Sequence, residues 1–108
     1  MNLDAKARNE EFFRLVNEEI DAVSETVPAT EPTMRFLCEC DDLGCQGKVE
    51  LTRAEYESVR AVPTHFIVLP HHVDPEVEHS ISSNDRFAVV EKEGEAARDA
   101  EAHDPRPR

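Results

Sequence analysis

Three cysteines packed into eight residues, Cys38-Glu39-Cys40-Asp41-Asp42-Leu43-Gly44-Cys45, constrain this chain more than any other feature. They are its only cysteines, and an odd, clustered set does not make a disulfide framework. A Cys-x-Cys pair on an extended segment sends both side chains to one face, because strand residues alternate. The intervening Glu39 then points the other way, outward from the ligands. Asp41-Asp42-Leu43-Gly44 has turn chemistry, and Gly44 can take positive φ, so the chain can return Cys45 toward the pair. The pattern predicts three thiolates aimed at one metal ion.

Zinc held by sulfur and nitrogen takes four tetrahedral ligands in a closed structural site, so one more is required. The chain has five histidines. His103 lies in a polar tail, His65 opens a strand, and His79 falls on an expected short helix facing solvent. His71 and His72 sit just past a strand that Pro70 ends, where a side chain can turn toward a neighbouring knuckle. The spacing leaves both open as the fourth ligand.

Length supports a staple. The chain has 108 residues, and its two ends are polar and acidic, leaving a compact segment of roughly sixty residues between them. A core that small commonly needs a metal or a disulfide. The formal net charge of -12 is spread along the whole chain. Such a chain repels a phosphate backbone, which argues against direct nucleic-acid binding; solubility, the commoner reading, and a protein partner with a basic surface are the natural alternatives. No apolar run is long enough to cross a membrane, and Met1-Asn2-Leu3-Asp4-Ala5-Lys6 has no hydrophobic signal region. A reducing cytoplasm is the expected compartment, and it suits thiolate ligation.

The first element is helical from about Asp4 to Val23. Phe12, Phe13, Val16, Ile20 and Val23 form its apolar stripe, expected on the core or against a second copy, with glutamates, arginine and asparagines opposite. Ser24 to Thr33, holding Pro28 and Pro32, reads as a linker. Met34 to Cys38 and Gly47 to Leu51 read as paired strands. Thr52 with Glu55 forms a capping box, with Leu51 and Tyr56 as its hydrophobic staple, and opens a helix carrying Tyr56, Val59 and Val62. That helix ends before Pro63. His65 to Leu69 is a buried strand. Asp74-Pro75-Glu76 looks like a second helix start, with Val77 and Ile81 facing inward. Arg86 to Lys92 is the last strand, and the tail from Glu93 lacks an apolar stripe and is expected to be disordered.

Other chemistries fit less well. A nucleophilic thiolate needs positive surroundings, and Glu39, Asp41 and Asp42 supply the opposite. A closed site leaves no position for an attacking water. A 2Fe-2S cluster on three cysteines and a histidine is the alternative cofactor, but Gln46-Gly47-Lys48 after Cys45 does not match the Cys-Asp-Gly-Ser-His pattern of proteins with that ligand set.

Phe36-Leu37-Cys38-Glu39-Cys40, Cys45, Leu51-Thr52, Glu55-Tyr56-Glu57, Val59-Arg60, Pro63, Phe66, Val68, Pro70, His72 and Val89-Val90-Glu91-Lys92 together resemble a group of small actinobacterial proteins of unassigned function. Arg8-Asn9-Glu10, Phe13 and Val16-Asn17-Glu18 extend the resemblance into the first helix. Those proteins typically read Pro-Gly-His where this chain has Pro70-His71-His72. The resemblance implies His72 as the fourth ligand and His71 as a substitution at a turn position. It carries no activity with it.

The expectation is a small zinc-stapled α+β domain: an N-terminal helix, then β-β-α-β, a short helix and β, with a three- or four-stranded, largely antiparallel sheet. Residues 1–33 form the helix and linker, 34–92 the zinc-binding domain and 93–108 the tail. Cys38, Cys40, Cys45 and His72, or His71 in its place, hold zinc. The expected function is non-enzymatic, a regulatory or adaptor role through a protein partner or a homodimer made by the first helix. The alternative is a redox switch in which oxidation of the thiolates expels zinc.

Overall fold

The computed structural model describes residues 3–23, 32–42 and 44–107, with side chains from Arg8 onward in the first helix. Most of the expected Ser24–Thr33 linker, and Leu43 of the expected turn, lie outside the described residues. The element order is α1 (Leu3–Val23), β1 (Met34–Leu37), β2 (Lys48–Leu51), α2 (Arg53–Arg60), β3 (His65–Val68), β4 (Glu78–Ser83), β5 (Ala88–Lys92) and α3 (Gly94–Ala102). This is a small α+β domain, as the pattern of periods predicts.

The strands make two antiparallel sheets rather than one. β1 and β2 form a hairpin in which Phe36 faces Val49, and β3, β5 and β4 form a separate sheet in that spatial order. β2 alternates strictly between exposed and buried residues, which fixes its register by putting Val49 and Leu51 in the core. β3 and β5 are buried along nearly their whole length, as their runs of branched residues require.

Between the sheets, α2 starts at the capping box read from the sequence. The Thr52 side chain accepts from the Glu55 N–H at 3.1 Å, and Glu55 accepts from the Thr52 N–H at 2.8 Å. Arg86 adds a bidentate pair to the same carboxylate at 3.0 and 2.7 Å, tying the start of β5 to the start of α2. Tyr56 and Val59 are buried, and the Tyr56 ring stacks on Phe36 with centroids 4.4 Å apart. Val62, expected beside them, lies beyond the helix end and is 37% exposed.

Three expectations are corrected. The segment after Asp74 makes one turn, closed by the Val77 and Glu78 N–H groups on the Asp74 carbonyl, and then runs as strand β4 rather than as a short helix. Its serines have weak helix preference, and the free edge of β5 offers a full ladder of partners. Ile81 sits at the bulge between Ser80 and Ser82 and is exposed rather than inward. The tail is not without structure: α3 covers 94–102 and buries Ala100 on the core. Beyond it, Asp104 pairs with the buried Arg60, and Arg106 bridges Glu18 of α1 at 2.9 Å and Glu57 of α2 at 2.7 Å. Alanine packs closely without making a visible apolar stripe, so charge pairing and small contacts supply what large side chains do not.

The third correction concerns α1, whose most buried face is a polar one beside the expected apolar stripe, so that the stripe is only partly covered. Among its described side chains the buried ones are Glu10, Arg14 and Asn17, while Phe12, Leu15 and Val23 are 60%, 52% and 78% exposed. Phe13, Val16 and Ile20 are half-buried, and Ile20 packs on the core. The polar face has partners. Lys92 on β5 donates to both Glu10 and Glu78, all three being buried. Arg14 lies over the Phe66 ring, 3.5 Å from its centroid, and donates to the Pro63 and His65 carbonyls.

Burial beside a second carboxylate pushes Glu10 up to about 7, with Lys92 pulling the other way. A carboxyl whose folded value is raised stabilises the fold fully below its ordinary value and loses that contribution as pH rises through the raised one. Stability contributed by this group therefore falls between pH 4.5 and about 7. Glu10→Gln mimics the protonated form and removes this slope. Urea unfolding of the two proteins should show the variant gaining on the parent by up to about 3 kcal/mol across that range. Parallel curves would contradict the assignment.

Candidate metal centre

Cys38 immediately follows β1, and its N–H donates to the Gly47 carbonyl at 3.1 Å, extending the hairpin ladder by one step. The next residue turns to the other sheet: the Glu39 N–H donates to the Ile67 carbonyl of β3 at 2.8 Å. The Cys-x-Cys segment therefore lies between the hairpin and the three-stranded sheet. The Cys45 N–H donates to the Asp42 carbonyl at 3.0 Å, and the Asp42 side chain accepts from the Gly44 N–H at 2.9 Å. That turn brings Cys45 back through the Asp42 side chain and carbonyl; the described glycine with positive φ is Gly94.

From the far side, β3 ends at Val68 and the chain turns through Pro70, with the His72 N–H bonded to the Leu69 carbonyl at 2.9 Å. The turn puts His72 Nδ1 at 3.6 Å from Cys38 Sγ and 3.5 Å from Cys45 Sγ. Ligand atoms of Cys38, Cys40, Cys45 and His72 all lie within 4.8 Å of one another. Zinc–sulfur bonds of about 2.3 Å and zinc–nitrogen bonds of about 2.05 Å at a tetrahedral angle require a sulfur–nitrogen edge of about 3.6 Å. The side chains are thus spaced to hold one ion.

His71 is exposed and lines an acidic cleft of about 370 Å³ that includes Asp41, Asp42 and Asp74. It is not among the four converging ligands. The remaining histidines lie elsewhere. His65 approaches Glu91 at 3.9 Å, His79 pairs with Glu93 at 2.5 Å, and His103 pairs with Glu11 at 3.2 Å. His79 faces solvent as expected, although from a strand and not a helix.

The sulfurs are held by backbone donors. The Leu69 N–H donates to Cys38 Sγ at 3.2 Å and the Gly47 N–H to Cys45 Sγ at 3.4 Å. Such bonds stabilise negative sulfur and orient it toward a cation. Without a cation, the Cys38 thiol donating to Cys40 holds Cys40 down at about 5, against the effect of burial, with His72 and the Asp42 N–H assisting. Cys38 is pushed up by that same bond and by burial, and Cys45 is pushed up by burial. Binding of a divalent ion displaces the protons that remain. A Cβ at Gly47 would stand 2.3 Å from Leu69 Cδ1, so any larger residue there must displace the end of that side chain.

Glu39 departs from the outward orientation expected of it. Alternation does send it away from the cysteine face, but α1 covers that side and Glu39 is fully buried. It accepts from Asn17 Nδ2 at 2.8 Å and from the Ile67 N–H at 3.1 Å. Burial raises its pKa, opposed by the nearby Arg14 guanidinium and these hydrogen bonds. Asn17 also pairs with both backbone groups of Leu37, donating at 2.9 Å and accepting at 2.7 Å, and so acts as a substitute strand neighbour. Asn9 donates to the Cys40 carbonyl at 3.3 Å. Helix α1 is the outer clamp of the ligand segment, a role that its polar residues conceal from a reading based on apolar spacing.

His72→Ala removes a converging ligand, whereas His71→Ala removes an exposed side chain. Loss of a mere supporting group around a metal costs about 10- to 100-fold in affinity, so His72→Ala should weaken binding by more than that while His71→Ala leaves it nearly unchanged. Competition of cobalt-loaded protein against a chromophoric chelator measures both; equal losses would contradict this ligand set. Comparison of the chain with protein-family models, with curated proteins and with solved structures found no match.

Proposed function

We propose that this chain is a zinc-stapled, non-enzymatic module of the cytoplasm that works by presenting its acidic surface to a protein partner. The observation that carries the metal reading is the mutual approach of Cys38, Cys40, Cys45 and His72 ligand atoms within 4.8 Å. A binuclear iron–sulfur cluster places two irons and their bridging sulfides between the ligands, so those on opposite irons stand farther apart than the edges of a single tetrahedron. The sulfur–nitrogen spacings of 3.5 and 3.6 Å match the single ion. Four protein ligands fill zinc's tetrahedral shell and leave no position for water, which favours a structural over a hydrolytic role.

Support for a protein-facing role is compositional. The net charge of -12 disfavours nucleic acid and favours a basic protein surface. Among the described residues no helix is long and apolar enough to cross a membrane.

A second reading, a redox switch, rests on one asymmetry. Cys38 and Cys40 are each 1% exposed, whereas Cys45 is only half-buried. Oxidant would reach Cys45 first, and its loss would leave three ligands. The burial of the other two sulfurs favours the structural reading.

Elemental analysis of protein purified without added metal should find about one zinc per chain and no visible absorbance. Iron with visible absorbance would overturn the zinc assignment. Low doses of peroxide should release little zinc from the folded protein; rapid release, reversed by a thiol reductant, would replace the structural reading with the switch.

A further inference from the structure

The inward polar face of α1 leaves an apolar ridge on the outside of the domain. Arg8, Phe12, Leu15 and Glu19 are all exposed and follow one another at spacings of four, three and four residues. At about 100° per residue these four side chains fall within about 60° of arc, so they form a single straight ridge. The order along it is a cation, an aromatic, an aliphatic and an anion.

That order is symmetric about a point midway between Phe13 and Arg14. Phe12 and Leu15 flank this point at equal intervals, and so do Arg8 and Glu19. An interface related by a two-fold axis puts the same patch on both partners and pairs residues across the axis. With the axis through the midpoint and the helices antiparallel, Phe12 meets Leu15 of the second copy, and Arg8 meets Glu19 of the second copy. Every residue of the ridge then faces a chemically suited partner. A parallel arrangement would set Arg8 against Arg8 and Glu19 against Glu19.

We propose that the α1 ridge is a self-association surface, forming an antiparallel two-fold dimer centred on Phe12 and Leu15 and closed at each end by an Arg8–Glu19 pair. The inference goes beyond the metal reading and does not depend on which ion is bound. Charge complementarity selects the occupant. A basic partner would favour a ridge flanked by acids alone, whereas this ridge carries one charge of each sign and complements itself. The like net charges of the two copies oppose association, and physiological salt screens that repulsion. A contact made by one helix from each copy lies at the small end of specific interfaces, below about 1,200 Å², so the dimer is weak and in exchange with monomer.

The test is sedimentation equilibrium of the full metal-loaded chain at physiological ionic strength, over micromolar to millimolar concentrations. The parent protein should show a monomer–dimer equilibrium. Arg8→Glu and Glu19→Arg each place like charges across the axis and should weaken it about tenfold. The double variant restores opposite charges and should recover most of the parent affinity. Leu15→Asp should abolish the dimer. All four positions are exposed, and unchanged circular dichroism verifies that each variant is folded. A parent chain that stays monomeric throughout the range would overturn the proposal, and so would a dimer indifferent to Leu15→Asp or a double variant no better than the singles.

Discussion

The approach of Cys38, Cys40, Cys45 and His72 joins two sheets that share no strand. The hairpin supplies Cys38 at the end of β1, with Cys40 just beyond it and Cys45 on the returning loop, while His72 comes from the turn after β3. Backbone bonds run across the same seam, from Glu39 to Ile67 and from Leu69 to the Cys38 sulfur. A structural zinc ion contributes on the order of ten kcal/mol to folding, comparable with the whole net stability of a small domain. Without such an ion, three sulfurs would crowd the seam, with Cys40 held down in pKa against burial by the Cys38 thiol and no cation beside it.

The rest of the fold is arranged to hold that seam still. Helix α1 turns polar residues inward because the cysteine segment leaves backbone groups and a carboxylate that need partners, and Asn9, Arg14 and Asn17 meet that need. The chain after α3 fastens α1 in place, with Arg106 spanning Glu18 and Glu57 and Asp104 reaching Arg60. Buried polar groups are tolerable only when their partners are fixed, and here three elements fix them. One consequence is that large apolar side chains of α1 are left facing out, where they are free to serve association rather than the core.

The features legible from sequence are those set by local chemistry. The hairpin strands, the capping box at Thr52, the buried run from His65 and the ligand pattern each depend on neighbours a few residues away, and each lies where its residues imply. Between His71 and His72 spacing does not decide, and the geometry brings His72 to the sulfurs. The misread features depend on distant partners. Ser80 to Ser83 become a strand because β5 offers an edge, α3 packs through alanine and ion pairs, and Glu39 is buried by a helix more than twenty positions earlier in the chain. Apolar periodicity finds Phe13, Val16 and Ile20, which are half-buried, but misses the more deeply buried Glu10, Arg14 and Asn17 because it assumes that a core must be reached by apolar side chains.

The central claim is that a metal ion joining the hairpin to the β3 turn is a condition of folding. The most direct measurement is the far-ultraviolet circular dichroism and amide chemical-shift dispersion of the protein as a strong chelator removes the metal at neutral pH, with metal content followed in the same samples. Signal and dispersion should collapse in proportion to metal lost and return when zinc is added back. A fully metal-free chain that keeps its dispersion would contradict the account.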